Sequence, residues 1–284
     1  MKIQQLLKEG YSALKEVNIE TYMLDTKLLL SKVLNKDVLF LLTNRDYEVN
    51  KIEEEKFSAL IAERKTKKPI KYILGECEFM GLSFFIKEGV LIPRPDTEIL
   101  VEEAIKEVKN KGYKKIADVC TGSGAIGASV AAFINNSHVK CYDISEVALE
   151  VAEKNINKLK LSDRAEVIKS DLLQEPLNNE ERFDMILSNP PYIKEDVIES
   201  LMEDVRNFEP HLALNGGIDG LSFYRRIIKQ SKKVLNSRGM IIFEIGYDQG
   251  EKVSLLLKEA DYGHIEIIKD LAGNDRVVKG TLKY

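Results

Sequence analysis

Apolar residues recur at helical spacing through the first quarter of the chain. Residues 6–17, 23–34 and 52–61 each contain such a run, and the third carries many charged residues between its apolar positions. Apolar residues three and four positions apart form one face of an α-helix. No strand-like alternation interrupts these runs, so the pattern predicts a small all-α bundle over residues 1–75.

A hairpin pattern follows the helical part. Residues 76–86 contain two short strand-like runs on either side of Gly81. A glycine between two such runs is typical of a β-turn. We interpret residues 76–90 as a β-hairpin linker and residues 91–284 as a second, larger domain.

Strands alternate with helices from Lys115 to the end of the chain. The strand patterns lie at residues 116–120, 138–143, 165–168, 183–187, 240–245, 265–268 and 276–281. Such alternation predicts an α/β fold with a mostly parallel, doubly wound sheet, closed by an antiparallel hairpin of the last two strands. Ligands of such sheets bind beyond the carboxyl ends of the strands, where the strand order reverses.

A proline-rich segment precedes the first of these strands. Residues 91–98 read Leu-Ile-Pro-Arg-Pro-Asp-Thr-Glu, and each proline fixes its own φ, so the segment is stiff. Asp96 or Thr97 is placed to cap the helix predicted at residues 99–109. We expect this stiff segment to shape a ligand pocket as well.

Composition narrows the class of protein. The 284 residues are 44% hydrophobic and 31% charged, with a net charge of −4. These values are typical of a soluble globular protein and give no overall positive field for nucleic acid.

The three cysteines are widely spaced and the three histidines are scattered, which argues against disulfides and a metal site. No apolar run is long enough for a membrane span or a signal core, so we expect a cytoplasmic protein.

One strand ends in an unusual turn. Residues 183–187 run directly into Ser188-Asn189-Pro190-Pro191-Tyr192, and two consecutive prolines end a strand and hold the backbone stiffly. In such a turn Asn189 Oδ1 and the Pro190 carbonyl oxygen can accept both hydrogens of one planar NH₂ group. Tyr192 can lie flat against the same group. The alternative is an ordinary strand-ending turn.

A glycine-rich loop follows the strand at residues 116–120. Gly122-Ser123-Gly124-Ala125-Ile126-Gly127 fits the pattern Gly-x-Gly-x-x-Gly and opens a helix. Glycines at these positions let the backbone approach a ligand closely. Asp143 ends the next strand, where a carboxylate can accept hydrogen bonds from both ribose hydroxyls. The loop and the carboxylate together predict an adenosine-containing cofactor, either a dinucleotide or S-adenosylmethionine.

Two further carboxylates bear on that choice. Asp118 precedes the loop, and its negative charge suits a cationic amino-acid tail better than the phosphates of a dinucleotide; it can instead brace the loop. Asp171 and Leu172 follow the third strand, where they can contact the amine and the face of an adenine, or form a simple turn. The expected cofactor site comprises Asp118, Cys120, Thr121, Gly122, Ser123, Gly124, Asp143, Asp171, Leu172 and Asn189.

The loop and the Asn-Pro-Pro-Tyr turn together resemble S-adenosylmethionine-dependent methyltransferases that modify planar nitrogen. The wider pattern is similar to the release factor glutamine methyltransferases (PrmC, also called HemK). The matching segments are residues 91–98, 118–127, 189–192, 209–214, 217–221 and 273–276. One departure is Cys120, where the family usually has glycine. The cysteine indicates a position without positive φ, and we do not expect its thiol to be reactive.

This resemblance implies methyl transfer from S-adenosyl-L-methionine to the side-chain nitrogen (N5) of the glutamine in the Gly-Gly-Gln loop of peptide-chain release factors. The product would be S-adenosyl-L-homocysteine. The resemblance implies a seven-stranded, Rossmann-like methyltransferase sheet and a substrate-docking role for the helical domain. It also implies catalytic roles for Asn189, Pro190, Pro191 and Tyr192.

Four alternatives share part of this pattern. A ribosomal-protein glutamine N5-methyltransferase has the same catalytic turn. A nucleic-acid adenine N6-methyltransferase has it too, but the acidic balance and the lack of a basic recognition segment disfavour that function. The function of an NAD-linked oxidoreductase would explain the glycine loop but would give the Asn-Pro-Pro-Tyr turn no role. A non-catalytic module that binds S-adenosylmethionine is the last alternative.

Overall fold

The computed structural model describes all 284 residues, and the chain forms two compact units. The first unit contains Met1–Glu76 together with Met202–Phe208, and the second contains Cys77–Leu201 and Glu209–Tyr284. The short return of residues 202–208 to the first unit has no counterpart in the sequence-based prediction. No helix combines the length and the apolar character that crossing a bilayer requires.

The chain forms thirteen α-helices and nine β-strands. The helices are α1 (Ile3–Glu16), α2 (Tyr22–Leu34), α3 (Val38–Thr43), α4 (Lys51–Lys65), α5 (Ile70–Leu74), α6 (Glu98–Lys111), α7 (Ala125–Phe133), α8 (Glu146–Lys158), α9 (Gln174–Asn178), α10 (Glu203–Phe208), α11 (His211–Leu214), α12 (Ser222–Val234) and α13 (Gly250–Glu259). The strands are β1 (Glu76–Phe79), β2 (Leu82–Phe85), β3 (Lys115–Val119), β4 (His138–Asp143), β5 (Ala165–Lys169), β6 (Phe183–Ser188), β7 (Leu235–Glu244), β8 (Tyr262–Lys269) and β9 (Asp275–Leu282). Short 3₁₀ helices lie at Pro95–Thr97 and Glu195–Ser200.

The helical unit has its own apolar core, to which α1, α2 and α4 contribute Leu6, Leu29 and Phe57 among others. A buried ion pair crosses this core, since Arg64 Nε donates to Asp25 Oδ2 at 2.8 Å. The predicted helical bundle is therefore confirmed. It is divided into more helices than the three runs of apolar residues indicated.

The second unit contains a seven-stranded sheet in the order β5–β4–β3–β6–β7–β9–β8. Strands β3 to β7 are parallel to one another, and β9 runs antiparallel to both β7 and β8. The predicted doubly wound sheet with a closing hairpin is confirmed. The chain leaves β3 in one direction toward β4 and β5 and returns on its other side as β6. The carboxyl ends of β3 and β6 therefore flank the point at which the strand order reverses, where ligands bind in such sheets.

The hairpin of β1 and β2 turns at Met80 and Gly81, whose φ values are +52° and +70°. Two consecutive positive φ angles define the turn that suits the right-handed twist of a hairpin. The predicted cap of the following helix is wrong. Neither Asp96 nor Thr97 caps α6 through its side chain, because Asp96 pairs with Arg276 Nη2 at 3.0 Å and Thr97 is turned toward Asn189.

Candidate active site

One large cavity opens at the carboxyl ends of β3, β4, β5 and β6. It encloses about 990 Å³, part of which is open to solvent. Of the predicted site residues, those that line it are Cys120, Thr121, Gly122, Ser123, Asp143, Asp171, Leu172, Asn189 and Pro191. The glycine loop and two residues of the turn, Asn189 and Pro191, thus face one common space, whereas Gly124, Pro190 and Tyr192 do not line it.

The glycine loop makes a close turn between β3 and α7. Gly122 and Gly124 have φ values of +56° and +77°, which residues with a Cβ rarely adopt. Gly127, on the first turn of the helix, lies so close to the strands that a Cβ would come within 2.5 Å of Cys141 Sγ. The third glycine therefore serves helix–strand packing, and the first two shape the loop.

The expectation that Cys120 avoids positive φ is wrong, because its φ is +61°. The next residue explains this conformation: the Thr121 N–H donates to the Tyr142 carbonyl oxygen on the neighbouring strand at 3.0 Å. This bond fixes the direction in which the chain leaves β3, whichever side chain stands at position 120. Burial raises the pKa of the Cys120 thiol well above its ordinary value, so the thiol stays neutral at physiological pH.

Asp143 stands at the end of β4 with its carboxylate beside the loop. Its Oδ2 accepts from the Gly122 N–H and its Oδ1 from the Ser145 N–H, each at 2.9 Å. Burial raises its pKa, and the backbone hydrogen bonds oppose that shift. Each carboxylate oxygen has a second acceptor position, so Asp143 can still accept hydrogen bonds from a ligand in the cavity.

Asp118 is completely buried beneath the loop and does not line the cavity. Its Oδ2 accepts from the Thr121 hydroxyl at 2.5 Å and from the Gly127 N–H at 2.9 Å. Its Oδ1 is buried without a partner. Burial raises the pKa of Asp118 to about 6. The structure thus gives Asp118 a loop-bracing position, with one acceptor oxygen left over.

Asp171 and Leu172 follow β5 at the other end of the cavity. Leu172 is buried with a φ of +55°, a second strained non-glycine residue on the cavity wall. Arg226 Nη2 donates to Asp171 Oδ2 at 2.6 Å, and both side chains are half-exposed. This ion pair, which the sequence did not suggest, occupies one oxygen of the carboxylate predicted to contact adenine.

Asn189 links the turn to the proline-rich segment. Its Nδ2 donates to Thr97 Oγ1 across 3.4 Å, a long hydrogen bond that nevertheless distinguishes the two ends of the amide. With its NH₂ group on Thr97, Asn189 keeps its Oδ1 as an acceptor, and the residue lines the cavity.

Tyr192 does not line the cavity. Its hydroxyl donates to Glu244 Oε1 at 3.3 Å, at the end of β7. The Gln249 side chain donates to the Tyr192 carbonyl oxygen at 3.0 Å. Two glycines pack closely against the same stretch of backbone. A Cβ on Gly216 would lie 2.7 Å from the Tyr192 Cα, and a Cβ on Gly220 would lie 2.5 Å from the Tyr192 carbonyl oxygen. The turn is therefore held rigidly from behind.

Several residues at the site were not predicted from the sequence. Arg94, Thr97, Phe223 and Leu212 line the cavity, and Glu244 lies behind the turn. The proline-rich segment does shape the pocket, as expected, but its individual contacts depend on residues far away in the chain. Glu244 did carry a signal, since an acidic residue that ends a buried strand occupies the same kind of position as Asp143.

Comparison with known proteins identifies the family to which the chain belongs. Residues 5–75 match the family model "PrmC N-terminal domain", and residues 95–216 match "Methyltransferase small domain". The chain is 56% identical to the release factor glutamine methyltransferase of Clostridium botulinum over 98% of this chain and 99% of that protein. It is 51% identical to that of Clostridium acetobutylicum, with 98% of each chain covered. The chain belongs to the release factor glutamine methyltransferase family.

A solved structure supports the fold. The Thermus thermophilus 16S rRNA N2 G1207 methyltransferase, in complex with AdoMet and guanosine, superposes with a TM-score of 0.52 at 17% identity over 73% of this chain and 50% of that one. At such low identity the likeness concerns the methyltransferase fold alone.

Release factor glutamine methyltransferases use S-adenosyl-L-methionine, and the cavity fits this cofactor. Its charged wall residues are Asp143, Asp171 and Arg94, and Arg94 forms an ion pair with Glu209. Arg94 and Asp171 are both already paired, whereas Asp143 has no ion pair and can face a sulfonium or an ammonium group. The phosphates of a dinucleotide would lie at the N-terminus of α7, and the carboxylate of Asp118, bonded to the Gly127 N–H in the first turn of that helix, disfavours negative charge there.

Proposed function

We propose that this protein methylates the side-chain amide nitrogen of the glutamine in the Gly-Gly-Gln loop of peptide-chain release factors. The observation that carries the proposal is that Asn189 lines the same cavity as the glycine loop while its NH₂ group is bonded to Thr97. The names of the relatives described above support the choice of substrate.

The chemical difficulty lies in the acceptor. An amide nitrogen is a poor nucleophile because its lone pair is delocalised into the carbonyl group. Asn189 Oδ1 and the Pro190 carbonyl oxygen would accept the two hydrogens of the substrate NH₂ and so hold the nitrogen in one orientation. Orientation of two reacting groups can contribute roughly 7–11 kcal/mol to such a step.

The same contacts favour the transition state over the ground state. As the nitrogen attacks, it gains positive charge, and hydrogen bonds from a charged donor are about twice as strong as those between neutral groups. Asn189 and Pro190 therefore bind the developing cation more tightly than the neutral amide, which is the condition for catalysis. Bound S-adenosylmethionine would supply the electrophilic methyl group. The surplus proton can leave to solvent after transfer, so no strong base is required.

The cofactor would lie along the rim from the glycine loop to β5. Asp143 is placed for the ribose hydroxyls, and Asp171 and Leu172 for the adenine. Cys120, Thr121, Gly122 and Ser123 form the wall between them. Asp118 would act from beneath the loop, where it fixes the backbone of Gly127. Stacking of Tyr192 on the substrate amide stays a prediction.

The helical unit is our proposed docking surface for the release factor. A short tripeptide motif cannot by itself identify one protein among many, so further contacts outside the cavity are needed for specificity. The unit has exposed apolar side chains that a protein partner can cover, among them Leu24, Leu39 and Ile52. We therefore propose residues 1–75 as the part of the chain that selects the substrate protein.

Mass spectrometry tests the proposal. The protein is incubated with isotopically labelled S-adenosylmethionine and, in separate reactions, a release factor, a ribosomal-protein mixture and an adenine-containing oligonucleotide. We expect one labelled methyl group on the glutamine of the release factor, and none when that glutamine is replaced by alanine. Label on ribosomal protein or nucleic acid, with none on the release factor, would contradict the proposed substrate.

A further inference from the structure

One face of α12 is bonded to the loop that follows β5. Phe223, Arg226 and Gln230 are three and four residues apart in the chain, and residues at this spacing lie on the same face of a helix. Phe223 lines the cavity, whereas Arg226 and Gln230 form hydrogen bonds to the loop of residues 170–173. The function proposed above gives neither of these two residues a role.

The bond from Gln230 holds the backbone of the loop. The Leu173 N–H donates to Gln230 Oε1 at 3.1 Å, and the Leu173 side chain is buried. Leu172, one residue earlier, has a φ of +55°, a conformation that a residue with a Cβ keeps only when its surroundings impose it. Without the acceptor on Gln230, the Leu173 N–H would lack a partner, which is costly for a buried group. Gln230 therefore fixes the chain directly after its strained residue.

The bond from Arg226 holds a side chain of the loop. Arg226 Nη2 donates to Asp171 Oδ2 at 2.6 Å, and Asp171 lines the cavity. A hydrogen bond from a guanidinium to a carboxylate is one of the strong ones, so it restricts the rotation of the Asp171 side chain. It engages one carboxylate oxygen and leaves Oδ1 able to accept from a ligand.

The loop is anchored at its other end as well. The Ser170 N–H donates to the Asp143 carbonyl oxygen at 2.9 Å, and Ser170 Oγ accepts from the Glu175 N–H at 3.0 Å. Leu172 and Leu173 pack in the same apolar core as Ile227 of α12. The short segment between these anchors, which contains Asp171 and Leu172, is thus fixed by β4 on one side and by α12 on the other.

We propose that Arg226 and Gln230 are positioning residues that hold Asp171 and Leu172 for the adenine of the cofactor, and that Arg226 thereby sets the preference for that base. This inference rests on the proposed placement of the adenine beside Asp171 and Leu172. An ionised carboxylate can only accept hydrogen bonds. Asp171 Oδ1 can therefore recognise the exocyclic amine of adenine, and a base without that amine leaves it without a partner.

Calorimetry with two ligands tests the role of Arg226. One ligand is S-adenosyl-L-homocysteine, and the other is its 6-deamino analogue, in which hydrogen replaces the exocyclic amine. We expect the wild type to bind the first about tenfold more tightly, the scale for one hydrogen bond to a charged acceptor. Arg226→Ala should lower this preference by about threefold, the size of effect for a half-exposed ion pair. Arg226→Lys should retain most of the preference, because it keeps the positive charge.

The matched control is Arg225→Ala. Arg225 is the neighbouring residue on α12 and has the same exposure of 48%, but it pairs with Asp219 instead of Asp171. We expect this variant to bind both ligands as the wild type does. In an Asp171→Ala background, Arg226→Ala should cause no further change in preference, because the carboxylate through which it acts is absent. A further loss in that background, or the same loss in Arg225→Ala, would overturn the role of Arg226.

A second pair of variants tests Gln230. Gln230→Met keeps the length of the side chain and removes the acceptor, whereas Gln230→Glu keeps an acceptor oxygen. We expect Gln230→Met to weaken the binding of both ligands by about tenfold, the scale for leaving one buried N–H without its partner. Gln230→Glu should restore most of that affinity. Equal losses in the two variants would overturn the role of Gln230 in favour of simple packing.

Amide hydrogen exchange without ligand provides an independent test. We expect the Leu173 N–H to exchange about tenfold faster in Gln230→Met than in the wild type or Gln230→Glu. The Thr121 N–H, which is bonded to the Tyr142 carbonyl oxygen, should keep its rate in all three proteins. Unchanged exchange of Leu173 in Gln230→Met would refute the proposed hold on the loop.

The two measurements separate the inference from the placement on which it rests. Equal binding of the two ligands by the wild type would mean that Asp171 does not contact the adenine amine, and the base preference assigned to Arg226 would be overturned. The exchange rate of Leu173 would still decide whether Gln230 holds the loop. Neither measurement requires methyl transfer, so failure of the proposed substrate would leave both results interpretable.

Discussion

The backbone N–H of Gly122 donates a hydrogen bond to Asp143 Oδ2 at 2.9 Å. This bond joins the glycine loop that follows β3 to the carboxylate that ends β4. The two features that predict a cofactor therefore form one structure, and the carboxylate orders the loop before any ligand arrives. A site ordered in advance loses less entropy on binding.

Replacement of Asp143 should accordingly weaken cofactor binding. Asp143→Ala removes the proposed acceptor of the ribose hydroxyls and frees the Gly122 N–H. We expect the affinity for S-adenosyl-L-methionine to fall by about 1–3 kcal/mol, the scale for hydrogen bonds to a charged group. Titration calorimetry measures this, with the exposed Asp163→Ala as the control. Equal affinity of Asp143→Ala and the wild type would remove Asp143 from the site.

Replacement of Asn189 should affect the reaction and spare the cofactor. Asn189→Ala deletes the oxygen that would accept from the substrate NH₂, and such a contact contributes mainly in the transition state. We expect kcat to fall by about 10²–10³-fold, as for removing one preorganised hydrogen bond at a reacting centre. Calorimetry should give an unchanged cofactor affinity. Asn136→Ala, at an exposed position, serves as the control, and a variant that loses the cofactor as well would argue against the catalytic role.

The Cys120 backbone gives a prediction about stability. At a φ of +61° the Cβ of an L-residue is crowded, at a cost of roughly 1–2 kcal/mol. Cys120→Ala and Cys120→Gly both remove the thiol, and only the second removes the Cβ. We expect Cys120→Gly to be the more stable of the two by about 1 kcal/mol in urea unfolding. Equal stabilities would mean that the backbone has relaxed out of the left-handed region.

The parts of the molecule that could be predicted from sequence are those encoded locally. Residues 116–143 form a strand, the glycine loop, a helix and a second strand in that order. This order places the loop and Asp143 at the same edge of the sheet. The two prolines after Asn189 stiffen the turn whatever surrounds it. Each inference needs only neighbouring residues and the rule that the carboxyl ends of parallel strands lie at the same edge of a sheet.

The parts that could not be predicted depend on pairs far apart in the chain. Asn189 meets Thr97 across 92 residues, and Tyr192 meets Glu244 across 52. The capping prediction failed for the same reason, because a local rule assigned Thr97 to α6 while the tertiary structure uses it elsewhere. The φ of Cys120 was missed because a bond from Thr121 to β4 fixes it.

Glu244 predicts a pH dependence of stability. Burial raises its pKa from an ordinary value near 4.5 to about 7, so between these values the folded protein holds a proton that the unfolded chain releases. The free energy of unfolding should therefore fall as the pH rises from about 4.5 to about 7, by on the order of 3 kcal/mol for this group. Asp118 acts in the same direction, because burial raises its pKa to about 6.

Urea unfolding at pH 5 and pH 8 measures this dependence. In Glu244→Gln we expect a smaller fall in the free energy of unfolding between pH 5 and pH 8, because the contribution of Glu244 is absent. Asp118 should account for part of the fall that remains. The same decrease in the variant and the wild type would contradict the assignment.

The exposed apolar residues of the helical unit provide the last prediction. Leu39, on α3, has 66% of its surface exposed, and covering it with a protein partner would contribute favourable free energy. Leu39→Glu should raise the KM for an intact release factor by about tenfold, the scale for losing one apolar contact. The KM for a short peptide that contains Gly-Gly-Gln should not change, because such a peptide can occupy only the cavity.

The control is Leu255→Glu, since Leu255 lies on α13 of the other unit and has 55% of its surface exposed. It introduces the same charge at a comparable site, and we expect wild-type KM values for both substrates. An equal rise for peptide and release factor in Leu39→Glu would indicate a general defect of the enzyme. No rise for either substrate would place the docking surface away from α3, and scanning Leu24 and Ile52 in the same assay would locate it within the helical unit or exclude that unit.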